Sequence, residues 1–108
     1  MANNDEASSD EKIVVRIDPD LEELIPGYLK NRDNDLQAIQ AALDTEDFEA
    51  VQQLGHTMKG SGGGYGFDFI SAIGMALEEA AKKQSHEKAL EATNELADFL
   101  KRVQVVYE

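Results

Sequence analysis

The amino-acid sequence predicts an all-α protein: an antiparallel four-helix up-and-down bundle with a short N-terminal helix and a disordered N-terminal tail. Apolar residues recur at spacings of three and four from residue 21 almost to the end of the chain, which is the pattern of amphipathic helices. Short polar segments separate these stretches, and short loops join antiparallel neighbours in helical bundles. The chain has 108 residues, of which 42% are hydrophobic, so it can bury one core of modest size.

The N-terminal region is predicted to lie outside this bundle. The first 12 residues are polar, acidic and almost free of large apolar groups, which is typical of a disordered tail. Ile13–Ile17 has the composition of a strand. We identify no second run to pair with it, so we expect an extended arm that lies on the bundle and becomes a strand only in an oligomer. The predicted domains are therefore an arm, residues 1–17, and a helical domain, residues 18–108.

Proline and capping residues predict where the first helices begin. Asp18 precedes Pro19, and an acidic N-cap with proline at the first helical position favours a helix start. Pro26 cannot donate a backbone hydrogen bond and disfavours helical geometry in the residue before it. We therefore predict a short helix over residues 19–24, a break, and a longer helix over residues 26–43.

Three more helices are predicted over residues 47–65, 67–83 and 85–107. Acidic and hydroxyl residues, Asp47 and Ser85, stand at cap positions before the first and last of these. The helical spacing predicts which side chains face inward and which face outward. The inward set is Phe67, Ile70, Ile73, Gly74 and Leu77, then Leu90, Thr93, Ala97, Leu100 and Val103; the outward set is Glu78, Glu79, Lys82 and Lys83.

Composition excludes several classes of function. The chain has no cysteine, which rules out disulfides, zinc–thiolate sites and cysteine nucleophiles. The net charge of −12 opposes binding to nucleic acid and to anionic membranes, so the expected partner is a protein. No apolar run has the length of a membrane span, and we expect a cytoplasmic, free-standing monomer.

The segment from Leu54 to Gly66 combines a helical pattern with a run of glycines. At about 100° per residue, His56 falls at the edge of the buried stripe, with Lys59 and Gly60 beside it on the next turn. Each glycine in a helix interior costs about 1 kcal/mol relative to alanine, so the run requires a reason. The simplest is clearance for a large partner that approaches His56, whose neutral imidazole is a nucleophile.

This segment resembles the signature of histidine-phosphotransfer (HPt) domains, which is His-x-x-Lys-Gly followed by small residues and a further glycine. His56, Lys59, Gly60 and Gly66 match it. The resemblance extends over about residues 18–106, although the glycines at 62–64 stand where such domains often carry alanine or serine. Outside the signature it rests on Leu24-Ile25-Pro26-Gly27-Tyr28-Leu29, Asn31-Arg32, Asp47-Phe48-Glu49 and Tyr65-Gly66-Phe67.

The resemblance implies that His56 accepts a phosphoryl group on Nε2 from the phospho-aspartate of a response-regulator receiver domain or a hybrid histidine kinase, and passes it to another receiver. Lys59 would neutralise phosphoryl charge and Gly60 would give clearance. The Mg²⁺ would belong to the receiver, so this chain would need no cofactor or metal and would be a carrier without kinase activity of its own.

The resemblance also suggests docking residues around the histidine: Gln52, Gly63 and Glu49. Gln52 and Glu49 are equally compatible with ordinary solvated side chains. Thr57 and Ser61 are interpreted as surface hydroxyls, and His86 as exposed and inert. Because of the −12 charge, we expect association with a basic-rimmed receiver to slow as salt is raised.

The alternatives to phosphotransfer are a di-iron bundle, a nucleotide-binding loop and a docking module. A di-iron bundle needs paired Glu-x-x-His motifs, and residues 53 and 83, three before the two histidines, are glutamine and lysine. A nucleotide-binding P-loop ends in Gly-Lys-Ser/Thr, whereas Lys59 precedes the glycines here. A lone surface histidine is commonly inert, so a helical docking module that never carries phosphate is the main alternative, and only His56 with Lys59 separates the two.

Overall fold

The computed structural model describes residues 11–108 and contains four α-helices, which confirms the predominantly helical fold. Most of the predicted tail, residues 1–12, lies outside the described residues. The antiparallel up-and-down order stays a prediction. In chain order the elements are β1 (Ile13–Ile17), α1 (Ile25–Asp44), α2 (Phe48–Gly62), α3 (Asp68–Lys82), α4 (His86–Arg102) and β2 (Val103–Tyr107).

Each helix packs against two others, so the four enclose one core. Helix α1 contacts α2 and α4, and α3 also contacts α2 and α4. The side chains that are almost fully buried come from all four helices and from β1, and the largest of them are Phe67, Phe99, Ile17, Ile25, Ile39, Met58, Ile70, Ile73, Leu77 and Leu96. Among the described helices, none is both long and apolar enough to cross a membrane.

The helix starts follow the predicted capping chemistry. The carboxylate of Asp47 accepts a hydrogen bond from the amide of Ala50, and the hydroxyl of Ser85 accepts one from Lys88. These bonds satisfy backbone donors that the first turn of a helix leaves without partners.

The short N-terminal helix is reduced to a single 3-10 turn, Pro19–Leu21, capped by Asp18. Residues 22–24 form a turn that leads directly into α1. Proline has no amide hydrogen to offer the carbonyl four residues earlier. Pro26 therefore sits in the first turn of α1, where that donor is not needed, and the segment before it is too short to complete an α-helix.

A two-stranded parallel sheet overturns two predictions at the ends of the chain. Strand β1 pairs with β2 within the same molecule, from Ile13 opposite Val103 to Ile17 opposite Tyr107. The prediction that β1 has no partner in its own chain was wrong, as was the extension of the last helix to residue 107, because α4 ends at Arg102. The C-terminal segment is rich in β-branched and aromatic residues, which favour a strand when one face can be buried.

The inward face of α4 is rotated from the predicted one. Leu90 was expected inside but is 42% exposed, whereas Thr93 is buried as predicted. The buried stripe instead passes through Ala89, Ala92 and Leu96. Small alanine side chains allow a closely packed neighbour, so the alanine face turns inward and Leu90 moves toward solvent.

Candidate functional site

The site is built on a close crossing of α2 and α3 at two glycines. A Cβ atom on Gly55 would lie 2.8 Å from the carbonyl oxygen of Gly74 and 2.8 Å from the amide nitrogen of Glu78. A Cβ atom on Gly74 would collide with the backbone nitrogen of Lys59. Neither position therefore accommodates a side chain, and the glycines allow the two backbones to touch. The crossing brings the Glu78 side chain of α3 against α2.

Glu78 bridges the histidine and the lysine of the sequence motif. Its Oε2 lies 3.0 Å from Nδ1 of His56, and its Oε1 lies 2.8 Å from Nζ of Lys59. The Glu78 side chain is only 9% exposed, while that of His56 is 69% exposed and that of Lys59 is 39% exposed. The site is thus a buried carboxylate with two basic groups above it, and the imidazole projects furthest into solvent.

The prediction that Glu78 points into solvent was wrong, and Glu78 is the site residue that sequence reasoning missed. Its position did carry a usable signal. Gly74 is predicted to face inward, and Glu78 follows it by four residues, which places both on the same face of a helix. A carboxylate one turn beyond the crossing is directed toward α2, where His56 and Lys59 stand.

The carboxyl of Glu78 is ionised in this arrangement. The hydrogen bond from Lys59 lowers its pKa most strongly, burial opposes that effect, and the hydrogen bond from His56 lowers the pKa further. Lys82, one turn along α3, adds a smaller charge effect in the same direction. Since an ionised carboxylate only accepts hydrogen bonds, Nδ1 of His56 must carry the hydrogen. In the neutral imidazole, Nε2 is then the nitrogen with the free lone pair.

We expect this linkage to appear as acid-dependent stability. A group with a lowered pKa in the folded state stabilises the fold above its ordinary pKa, which is 4.5 for Glu78, and this contribution disappears as the pH falls through the folded-state value. The difference in unfolding free energy between wild type and Glu78→Gln should therefore be largest near neutral pH and shrink below about pH 4.5. Urea titrations at a series of pH values measure it. A difference that stayed constant with pH would contradict the assignment.

A groove of about 560 Å³ lies beside the imidazole. It contains two of the predicted docking residues, Gln52 and Glu49, and both therefore lie on the same surface as His56. The remaining lining residues are Gln53, Thr57 and Glu78. All of its lining residues are polar or charged and it is open to solvent, which suits a protein surface more than a small apolar ligand.

The glycines after His56 differ in whether the fold has room for a side chain in their place. A Cβ atom on Gly60 would meet nothing within 4 Å, and one on Gly63 would make only ordinary contacts, the nearest at 3.7 Å. The fold therefore does not require glycine at either position. Gly62 is different, because a Cβ atom there would lie 2.6 Å from the amide nitrogen of Ser71.

Ser71 determines how α2 ends. Its hydroxyl donates to the carbonyl of Lys59 at 2.9 Å and accepts from the amide of Gly63 at 2.8 Å. A regular α-helix would pair that carbonyl and that amide with each other. The inserted hydroxyl accompanies the change from α2 to the 3-10 turn Gly63–Tyr65, so the predicted helix over residues 47–65 ends as α-helix at Gly62. Sequence reasoning gave Ser71 no role.

Ser61 belongs to the junction between α1 and α2, so its interpretation as a plain surface hydroxyl was wrong. Its Oγ lies 3.1 Å from the hydroxyl of Tyr28 and 3.4 Å from Nη1 of Arg32. The Arg32 guanidinium lies 4.5 Å above the Tyr28 ring and donates through Nε to Asp35. Tyr28 also stacks on Tyr65. This cluster holds the end of α2 against α1.

The two histidines of the chain have different surroundings. His56 has a buried carboxylate and a lysine within hydrogen-bonding distance, while His86 is an exposed residue at the start of α4. Within residues 11–108, no group of three or more histidine, cysteine, aspartate or glutamate side chains is placed to hold a metal ion.

A helical bundle that presents one solvent-exposed histidine beside a lysine and a run of glycines is the architecture of a histidine-phosphotransfer protein. The family model described as "Hpt domain" matches residues 23–105, and the chain belongs to that family. Membership associates it in general with histidine phosphotransfer in phosphorelays, where Hpt domains interact with receiver domains and histidine kinases. No curated protein and no solved structure matched the chain in the corresponding searches.

Proposed function

We propose that His56 is the phosphoacceptor. It takes a phosphoryl group from a receiver-domain aspartate and passes the group to the aspartate of another receiver. The observation that carries the proposal is the pairing of Nδ1 of His56 with the buried carboxylate of Glu78 at 3.0 Å. That pairing leaves Nε2 unprotonated on the most exposed side chain of the site. The hydrogen bond that one ring nitrogen makes decides which tautomer an imidazole adopts.

The proposed transfer is a displacement at phosphorus. The lone pair of Nε2 attacks, the Nε2–P bond forms, and the bond from phosphorus to the aspartyl oxygen breaks to release the receiver's carboxylate. The imidazole ring becomes positively charged while its Nδ1 hydrogen stays in place. The ionised Glu78 accepts that hydrogen bond and stabilises the cation, as the acidic residue of a hydrolytic triad does for its histidine. The Mg²⁺ is expected on the receiver.

We propose that the ammonium group of Lys59 donates hydrogen bonds to Glu78 and to the incoming phosphoryl group at the same time. Its Nζ lies 2.8 Å from Oε1 of Glu78, and its side chain is 39% exposed, so the ammonium contacts the buried carboxylate and also reaches solvent. An ammonium has three donors, which allows it to hold a carboxylate and a phosphoryl oxygen together. The proposal thus keeps the expected role of Lys59 in neutralising phosphoryl charge and adds Glu78 as its second partner.

The proposed docking surface surrounds His56 on both sides. Gln52 and Glu49 line the groove on one side. Gly60 and Gly63 offer bare backbone on the other, with no neighbouring atom that would forbid a side chain at Gly60. Because nothing in the fold requires glycine at position 60, we attribute this glycine to clearance for a receiver. We infer that these partners are met in the cytoplasm.

The direct test is intact mass measured after incubation with a panel of phosphorylated receiver domains and Mg²⁺. We expect one added phosphoryl group that is lost in acid and retained in base, which is the behaviour of a phosphoramidate. If no receiver adds mass although binding is measurable, the docking module that never carries phosphate becomes the better account.

Gly60→Ala tests clearance separately from folding. The new methyl group meets nothing within 4 Å in this molecule, and alanine is favoured over glycine in a helix by up to about 1 kcal/mol. The variant should therefore be at least as stable as wild type. One extra methyl group in a closely packed interface costs about 1–3 kcal/mol, so transfer from the receiver should slow about fivefold or more. Quenched time courses measure the rate of phosphoryl transfer, and urea unfolding measures the free energy of unfolding. An unchanged transfer rate would contradict clearance as the reason for this glycine.

A further inference from the structure

The outer edge of β1 has backbone groups that the described fold leaves without partners. In the parallel ladder the carbonyl of Ile17 accepts from the amide of Glu108 at 3.1 Å, so the odd-numbered residues of β1 direct their backbone groups toward β2. The amides and carbonyls of Val14 and Arg16 point the other way. Within residues 11–108, β2 is the only strand that pairs with β1, and no other hydrogen bond reaches these groups.

Few of the features that usually protect an edge strand occur here. Natural edge strands are shielded by charged side chains, proline, a bulge or a covering segment. Within residues 11–108, β1 is a regular five-residue strand without proline, Arg16 is its one charged residue, and the side chain of Val14 on the open edge is 57% exposed. A two-stranded sheet is also marginally stable by itself. Additional strands would complete it.

We propose that β1 pairs antiparallel with β1 of a second copy of this chain, in the register centred on Val15. The two copies would then form a continuous four-stranded sheet. In this register Val14 faces Arg16 of the other copy, and these are the residues whose backbone groups point outward. The aliphatic stem of Arg16 would cover the exposed Val14 side chain of the other copy.

Charge selects this register over its neighbours. Centred on Val15, Lys12 lies opposite Asp18 of the second copy at both ends of the pairing. Moving the centre to Val14 places Lys12 opposite Arg16, and moving it to Arg16 places the two arginines opposite each other. Opposite charges at facing positions stabilise a pair of strands by up to about 1 kcal/mol, and like charges destabilise it. Of these three registers, only the one centred on Val15 pairs opposite charges without placing like charges opposite each other.

The free edge of β2 is a weaker candidate. Its first outward amide, that of Val103, is already bonded to the carbonyl of Phe99 as the cap of α4. The open edge of β1 therefore offers more donors and acceptors to a second copy.

The test is the oligomeric state of the full chain by sedimentation equilibrium. The net charge of −12 on each copy opposes association, so the dimer is expected to be weak and to strengthen with salt, and concentrations up to about 1 mM are needed. Val14→Pro removes an outward amide without touching the ladder to β2 and should weaken the dimer about tenfold or more. Val14→Thr keeps the amide and should dimerise like wild type.

Charge exchange tests the register. Lys12→Glu alone and Asp18→Lys alone each place like charges opposite each other at both ends, so each should dimerise about tenfold more weakly than wild type. A mixture of these two variants places opposite charges at both ends and should form mixed dimers at wild-type affinity. Three results would overturn the proposal. The wild type could stay monomeric at the highest concentration, Val14→Pro could leave the dimer affinity unchanged, or the mixture could dimerise as weakly as each variant alone.

Discussion

Replacing His56 with glutamine is expected to abolish phosphorylation by every receiver while leaving the fold intact. Glutamine retains a polar amide that can reach Glu78 but has no nucleophilic nitrogen, so no phosphoryl–nitrogen bond can form. The His56 side chain is 69% exposed, and surface substitutions generally change the unfolding free energy by no more than about 0.5 kcal/mol. Intact mass after incubation with phosphorylated receivers, together with circular dichroism, measures both expectations.

The chain contains its own control for this experiment. Its only other histidine is His86, which is exposed at the start of α4. His86→Gln should accept the phosphoryl group at the wild-type rate, because no lysine or buried carboxylate of the site is affected. Phosphorylation that persists in His56→Gln, or that is lost in His86→Gln, would show that the wrong histidine has been assigned.

Replacing Gly74 with alanine is expected to be the most destabilising of the glycine substitutions. The added methyl group collides with the backbone nitrogen of Lys59, and backbone on a packed helix cannot move aside as a flexible side chain can. Overpacking of this kind costs about 1–3 kcal/mol, and we expect about 3 kcal/mol because the obstacle is backbone. Urea unfolding measures the loss.

The same substitution should also damage the site, because the α2–α3 crossing is what places Glu78 under His56 and Lys59. Folded Gly74→Ala protein should therefore accept phosphate more slowly than wild type. Gly60→Ala is the matched comparison, since it makes the same change in open space. If the two variants had equal stability, the close crossing at Gly74 would not be what holds these helices together.

Local sequence rules were sufficient for most of the helical fold. The caps at Asp47 and Ser85 form the predicted hydrogen bonds, and the family match over residues 23–105 agrees with the resemblance that His56, Lys59 and Gly60 carried. These features depend on residues within one or two helical turns of each other, which is the range over which periodicity and capping operate.

The terminal sheet was not predictable by the same rules. Strands β1 and β2 lie at opposite ends of the chain, and each is a short apolar run whose structure depends on the other. The segment from Val103 also continues the apolar spacing of α4, so a longer helix was the simpler local solution. Pairing with β1 and burial of one face against the bundle decided the outcome.

The sequence by itself determined the helical fold and the family, and it singled out His56 as the proposed phosphoacceptor, because spacing, capping and the motif are local properties of the chain. Tertiary structure alone decided the state of that histidine. Glu78 is far from His56 in sequence and reaches it only because Gly55 and Gly74 let two helix backbones touch. Contact between distant segments fixed the tautomer of His56 and the partner of Lys59, since hydrogen bonding depends on distance in space.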